Sequence, residues 1–179
     1  MTDIPTIRAQ LLGTQYRAED IPAVDGIGIY AFYLSSPGAL AGVSIEPSRL
    51  IYLGMTDSSL EVRNHFNHEH SGFSTLRRTL GALLKTSLTL RAIPRGSGPS
   101  PSNVQNYRFR AADELRLTEW MKTHLTYGFV AVSRDIRAIE LALVAELRPP
   151  LNLTDWPNPQ RRSLRALRDV CRQEARGHA

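Results

Sequence analysis

Five residues of this chain have side chains that suit chemistry on a phosphate group. They are two tyrosines, an arginine, a glutamate and an asparagine: Tyr30, Tyr52, Arg63, Glu140 and Asn152. A carboxylate is the kind of oxygen ligand that Mg²⁺ or Mn²⁺ prefers, and a guanidinium can hold a phosphate through two hydrogen bonds. A free phenol titrates at roughly pH 10, so a tyrosine can act as a base only where a nearby cation favours its phenolate.

Strands and helices must bring these side chains together. Tyr30 and Tyr52 lie in apolar segments, 26–34 and 49–55, which are predicted to be antiparallel strands covered on both faces. A third strand is predicted at 127–133, just ahead of the helix that carries the glutamate. The sequence therefore predicts an α+β fold, in which a small, mainly antiparallel three-stranded sheet is flanked by helices.

Arg63 and Glu140 fall on the apolar sides of their predicted helices. The first of these helices is predicted to begin at Ser58, because Ser58 and Glu61 have capping-box spacing. A buried carboxylate is costly unless it is paired or binds a cation. The residues alone leave two explanations open, a structural Arg63–Glu140 ion pair or a functional cluster, and the adjoining tyrosines favour the cluster.

The motifs that carry these residues resemble the pattern of the GIY-YIG nucleases. The matching segments are Gly28-Ile29-Tyr30, Tyr52-Leu53-Gly54, Arg63, Glu140 and Pro149-Pro150-Leu151-Asn152. The resemblance implies a metal-dependent endonuclease that hydrolyses phosphodiester bonds, in DNA in preference to RNA.

The resemblance also implies a role for each residue. Glu140 would bind one Mg²⁺ (or Mn²⁺), and Arg63 would hold the phosphate or orient the attacking water. One strand tyrosine would be the general base; we favour Tyr30, with Tyr52 orienting water or phosphate. Asn152 would support the site by hydrogen bonding, although an ordinary turn asparagine is the alternative.

Positive charge is concentrated in two parts of this chain, whose net charge is +5. The segment 71–110 contains no Asp or Glu, and its cations are Arg77, Arg78, Lys85, Arg91, Arg95, Arg108 and Arg110. Near the C-terminus, one side of a predicted helix carries Arg161, Arg165, Arg168 and Arg172. Both groups are interpreted as nucleic-acid-binding surfaces, and a solvated basic surface is the alternative.

The predicted domain organisation follows from the positions of the two basic segments relative to the nuclease motifs. Residues 1–157 are predicted to form the nuclease-like domain with a basic insertion at about 71–124, and 158–179 a basic helical tail. Within the insertion, helices are predicted at 75–84 and 111–124, an extended segment at 87–92 and a loop at 94–103.

Other sequence features limit the remaining functional classes. His65, His68 and His70 do not converge on a helix, so a zinc site is not expected, although His70 could assist if the Arg63 helix continues. The single Cys171 excludes an internal disulfide. The sequence shows no secretory signal or membrane span, so a cytoplasmic protein without a membrane partner is expected.

Two points stay open from the sequence. The alternative to an endonuclease is a non-cleaving nucleic-acid-binding or assembly protein that retains the nuclease frame, or a nuclease directed at RNA. One active site cuts one strand, so a double-strand break would require a dimer, successive cuts or reorientation. The oligomeric state is not predicted.

Overall fold

The structure is a computed structural model that describes residues 3–24, 26–61, 64–97 and 100–178, so Arg63 lies outside the described residues. The helices are α1 (Ile4–Gly13), α2 (Thr75–Leu83), α3 (Pro101–Gln105), α4 (Ala111–His124), α5 (Ile136–Leu147) and α6 (Arg161–Arg176). The strands are β1 (Gly28–Leu34), β2 (Leu50–Thr56), β3 (Ala92–Ile93), β4 (Arg108–Phe109) and β5 (Leu125–Ala131). No described helix has the length and apolar character that crossing a membrane requires.

The chain forms two compact units. The sheet unit comprises Met1–Ala39, Val43–Asn64 and Lys122–Pro159. The insertion unit comprises Leu40–Gly42, His65–Met121 and Gln160–Ala179.

The sheet unit is built on an antiparallel sheet with strand order β2-β1-β5. All seven residues of β1 are buried, as expected of the central strand. The register places Tyr30 opposite Gly54 on β2 and opposite Phe129 on β5. This confirms the predicted α+β class and the antiparallel pairing, and β5 begins two residues earlier than the predicted third strand.

The two faces of this sheet differ in chemistry because side chains alternate along each strand. Ile29, Ala31 and Tyr33 belong to an apolar core with buried residues of α1 and α5, such as Leu11 and Leu143. The opposite face of β1 carries Tyr30 and Phe32. The register adds Tyr52, Tyr127 and Phe129 to this face, which is therefore aromatic.

The helix predicted to begin at Ser58 is absent from the described residues around it, since 57–61 and 64–70 form turns and bends. The backbone N–H of Leu60 donates to the carbonyl of Gly26 at 2.9 Å, and Asn64 N–H donates to Glu61 O at 3.2 Å. Ser58 Oγ lies 3.2 Å from Thr56 Oγ1. One tertiary contact, from Leu60 to Gly26, and local turn contacts take the place of the capping box, so the helical prediction for this segment was wrong.

The insertion unit contains α2, α3, most of α4, the β3–β4 pair and α6. The helices α2 and α4 match the predicted ranges closely. The predicted extended segment 87–92 contributes only the first residue of β3, and α3 starts within the predicted loop, where Pro101 occupies its first turn.

The C-terminal helix α6 is tied to the insertion by Glu174. Its carboxylate accepts hydrogen bonds from Lys85 Nζ at 2.7 Å and from the Ala92 amide at 2.9 Å. Burial alone would raise the pKa of Glu174, but these hydrogen bonds hold it below its ordinary value. Most of the tail predicted at 158–179, from Gln160 onward, is grouped with the insertion in one compact unit.

Candidate active site

Tyr30 is held on the central strand with only 3% of its surface exposed. Its hydroxyl lies over Gly54, where a Cβ would be 2.6 Å from the Tyr30 oxygen. The other motif glycine is equally constrained, because a Cβ on Gly28 would lie 2.3 Å from the carbonyl oxygen of Val130. Both motif glycines are therefore required by close approach of neighbouring groups.

Tyr127 is a third tyrosine on the aromatic face, and the sequence reasoning missed it. Its ring is stacked 6.2 Å from that of Tyr30 and lies 5.1 Å from that of Phe32. The hydroxyl is buried and has no hydrogen-bond partner in the part of the chain that the structure describes. Burial raises the pKa of Tyr127, so this phenol stays protonated at neutral pH. The alternation of side chains along β5 was the signal that could have found it.

Glu140 projects from α5 and is 8% exposed. Its Oε2 accepts a hydrogen bond from Arg137 Nη1 at 2.5 Å, and the nearby backbone amide of Met55 also lowers the pKa of its carboxyl group. Arg137 contacts Asp155 as well, at 3.3 Å. Burial raises the pKa of Glu140, and the bond from Arg137 opposes that rise. The sequence reasoning missed Arg137, although its position three residues before Glu140 was the available signal.

Asn152 makes a two-point contact with the backbone of β2. Leu53 N–H donates to Asn152 Oδ1 at 2.9 Å, and Asn152 Nδ2 donates to Leu53 O at 2.7 Å. The carbonyl of Asn152 in turn accepts from Trp156 Nε1 and from Asn158 Nδ2, each at 2.9 Å. The contact fixes the segment that follows α5 against the outer edge of the sheet.

These contacts meet at three consecutive residues of the edge strand β2. Asn152 binds Leu53, the Tyr30 hydroxyl lies over Gly54, and the Glu140 carboxylate lies near the amide of Met55. The edge of a sheet normally leaves backbone groups without partners. Here the same contacts satisfy this edge and gather a phenol, a carboxylate and an amide around a short stretch of backbone.

Replacing Asn152 by alanine is expected to destabilise the fold by about 1–3 kcal/mol, because it leaves the buried N–H and carbonyl of Leu53 without a partner. Urea unfolding followed by circular dichroism measures the difference. Asn106→Ala is the matched control, since the Asn106 side chain donates to Ser102 in the exposed part of the insertion. Equal, small effects of both substitutions would contradict the bracing role of Asn152.

The donor set around Glu140 fits one type of metal site and not another. No group of three His, Cys, Asp or Glu side chains that could enclose a metal occurs among the described residues. A single carboxylate suits Mg²⁺, because this ion retains several waters and needs only one or two protein oxygens. Glu140 therefore fits the role of the one protein ligand of a largely hydrated divalent cation.

Arg77 and Arg78 do not form the nucleic-acid surface expected of them. Arg77 has no exposed surface and forms an ion pair with Glu114 at 2.8 Å. It also donates to Thr118 Oγ1 at 2.9 Å. Arg78 is 7% exposed and donates to the carbonyls of the Ser71–Phe73 turn. Their interpretation as substrate contacts was wrong, because both guanidinium groups serve the interior of the insertion unit.

The remaining predicted nucleic-acid residues differ in exposure. The side chains exposed to solvent are those of Arg91, Arg110, Arg161 and Arg165. The partly buried ones are those of Lys85, Arg95, Arg108, Arg168 and Arg172. Burial lowers the pKa of Arg168, and Lys85 and Arg172 form ion pairs with Glu174 and Asp169.

His70, the candidate accessory residue, caps a short turn and does not extend a helix. Its Nδ1 accepts a hydrogen bond from the Gly72 amide at 3.2 Å, at the start of the 3₁₀ turn Ser71–Phe73. His65 is 2% exposed, with Nδ1 2.7 Å from Ser74 Oγ. These histidines belong to the insertion unit, and each has a structural contact within it.

Comparison with known proteins gives one match. Neither the curated proteins nor the solved structures contain a significant match to the chain. The family model of the GIY-YIG catalytic domain matches residues 39–174. The matched range includes Tyr52, Glu140 and Asn152 and begins after Tyr30. Since it covers more than half of the chain, the protein belongs to the GIY-YIG nuclease family.

Proposed function

We propose that the protein is a metal-dependent endonuclease that hydrolyses phosphodiester bonds in DNA. The observation that carries this proposal is the meeting of Tyr30, Glu140 and Asn152 at Leu53, Gly54 and Met55 of β2. A phenol over Gly54 and a buried carboxylate near the next residue of the same braced strand suit proton transfer close to a bound cation.

Each residue has a defined part in this proposal. Glu140 holds the divalent cation, which when bound supplies positive charge to the scissile phosphate. Tyr30, fixed above Gly54, accepts the proton of the attacking water. Tyr52, whose ring lies 6.4 Å from that of Tyr30, orients water or phosphate. Arg63 holds the phosphate, and Asn152 keeps β2 in place.

The proposed substrate surface is smaller than the sequence suggested. Because Arg77 and Arg78 are buried, the phosphate contacts are assigned to the exposed arginines Arg110, Arg161 and Arg165. The partly buried Arg95 and Arg108 are assigned a supporting role. Exposed arginines give salt-dependent affinity that is independent of sequence.

A non-cleaving nucleic-acid-binding protein is the second candidate function, and one contact favours it. Arg137 donates to Glu140 at 2.5 Å, so one carboxylate oxygen already has a cationic partner. An ion pair of this kind can satisfy a buried carboxylate without any metal. The two candidates differ in whether a divalent cation changes what the protein does to DNA.

The wild-type chain is expected to nick supercoiled plasmid in Mg²⁺ or Mn²⁺ and to be inactive in EDTA. Single-stranded DNA and RNA of one sequence, incubated in parallel, measure the preference for DNA, and faster cleavage of RNA would overturn the assignment of substrate. Salt-sensitive binding without cleavage in either metal would instead support the non-cleaving candidate. Gel electrophoresis of nicked and linear products gives the rate and shows whether one strand or both are cut.

A further inference from the structure

Every Phe, Tyr and Trp of the chain lies in the part that the structure describes. Among these residues only Phe73 is exposed. It ends the 3₁₀ turn Ser71–Phe73 and leaves 63% of its surface in solvent. A single exposed apolar side chain needs no explanation by itself. What distinguishes Phe73 is the set of cationic and aromatic groups held against its ring.

Two side chains flank this ring in fixed positions. The guanidinium carbon of Arg95 lies 5.2 Å from the ring centroid, and the ring of His70 lies 5.0 Å away at an interplanar angle of 31°. Gly72 allows this arrangement, because a Cβ there would lie 2.6 Å from Arg95 Cγ and 3.0 Å from His70 Cε1. Arg95 is also held by Ser102, to whose Oγ it donates at 3.2 Å.

The turn that carries Phe73 is held in place by hydrogen bonds to buried charged side chains. Ser71 donates through its amide and hydroxyl to the carboxylate of Glu114, at 2.7 and 2.9 Å. Arg78 donates to the carbonyl oxygens of Ser71 and Gly72, at 3.2 and 2.8 Å. Arg77 holds Glu114 in turn. The exposed ring therefore stands on a rigid turn, so little ordering entropy would be lost when a ligand stacks on it.

The chemistry of this cluster fits a nucleobase. A planar aromatic ring stacks on a base of any identity, and an adjacent arginine adds a cationic contact to the base or to its phosphate. The segment 71–110 around it contains no Asp or Glu, so the phosphate backbone meets no opposing charge from that segment. Bases inside a duplex are already stacked on their neighbours and cannot also cover a surface ring.

We propose that Phe73, flanked by Arg95 and His70, is a stacking site for an unpaired base of the nucleic-acid substrate. The proposal rests on the proposed function for its nucleic-acid ligand. It deepens that function by assigning the insertion a preference for DNA that contains a single-stranded segment. In this arrangement the buried Arg77 and Arg78 act as positioning residues for the turn, although neither touches the ligand.

The test is oligonucleotide binding by the full chain in EDTA, where no cleavage can occur. Fluorescence anisotropy is measured with a labelled single strand, the matching duplex and a single strand of equal length that carries abasic sites. Phe73→Ala is expected to weaken single-strand binding by roughly 5- to 100-fold, the usual loss for one stacked base. Duplex binding is expected to stay within about twofold, and abasic sites should lower wild-type affinity to that of Phe73→Ala.

Two further variants separate stacking from general effects. Phe73→Trp is expected to retain single-strand affinity, and its added tryptophan emission should be quenched by the single strand but not by the abasic one. Val170→Ala removes another exposed apolar side chain, on α6, and is expected to bind as the wild type does. Thermal unfolding checks that each variant is folded.

Unchanged single-strand affinity in Phe73→Ala, or equal losses for single strand and duplex, would overturn the stacking proposal. This result is distinct from failure of the nuclease proposal. A protein that cleaves in Mg²⁺ but shows no effect of Phe73→Ala is a nuclease without this site. A protein that never cleaves but loses single-strand affinity in Phe73→Ala has the site without the activity.

Discussion

Glu140→Gln is expected to reduce Mg²⁺-dependent cleavage by roughly 10³-fold or more, because loss of bound-metal stabilisation costs several kcal/mol in the transition state. Glutamine has nearly the same shape and keeps a side-chain oxygen near the Met55 amide. The substitution therefore removes the charge that is proposed to hold the cation while changing the shape of the side chain little. Initial rates of plasmid nicking over a series of Mg²⁺ concentrations measure the loss.

Two controls on the same helix show whether this effect belongs to the site. Glu146→Gln removes an acid of α5 that pairs with Arg8 in an exposed salt bridge, and it should leave cleavage unchanged. Arg137→Gln removes the cationic partner of Glu140. This variant should still cleave, and the Mg²⁺ concentration that half-maximal cleavage requires should be equal to that of the wild type or lower. If Glu140→Gln cleaved at the wild-type rate, Glu140 would not be the metal ligand and its pair with Arg137 would be structural.

Arg77→Ala is expected to lower the free energy of unfolding by about 3–5 kcal/mol, since it leaves Glu114 buried without its cationic partner. The pair lies at 2.8 Å with side chains that are 0% and 5% exposed. Glu114 also accepts from Ser71 and Phe109, so its charge cannot leave the interior without breaking those contacts. Urea unfolding followed by circular dichroism measures the change.

Arg91→Ala is the matched control for the loss of an arginine from the insertion. Its side chain is 61% exposed and pairs with Glu174 at 3.4 Å, so its removal should cost no more than about 1 kcal/mol. Equal stability of Arg77→Ala and Arg91→Ala would refute the buried pair. Reduced DNA binding by Arg77→Ala has to be interpreted together with its stability, because the residue does not reach the surface.

Local patterns in the sequence predicted the sheet and three members of the site. Two continuous apolar segments predicted β1 and β2, and the apolar stripe of α5 placed Glu140 on its packed side. The family motif supplied Tyr30 and Asn152. No local pattern indicated the role of β2. At the outer edge of this strand, Leu53 bonds to Asn152, which lies far along the chain. Partners so distant in sequence leave no periodic signal.

The two failed predictions have a common physical origin. Ser58 and Glu61 have the spacing of a capping box, but the amide of Leu60 bonds to Gly26, a tertiary contact that outweighs local propensity. Arg77 and Arg78 were counted as surface charge because the segment around them has no acid. Their partners, Glu114 and the carbonyls of the 71–73 turn, could be recognised only after folding. Charge composition measures how many cations are present and not how deeply they lie.

The attachment of α6 to the insertion has a consequence for synthesis on the ribosome. Leu164 and Cys171 of α6 are buried, and Glu174 bonds to Lys85 and Ala92. The nascent insertion therefore cannot bury all of its apolar surface until α6 has emerged, well after β5, the last strand of the sheet. During that interval α2 lacks the helix against which it packs, so this half of the nascent chain exposes apolar surface of the kind that promotes aggregation.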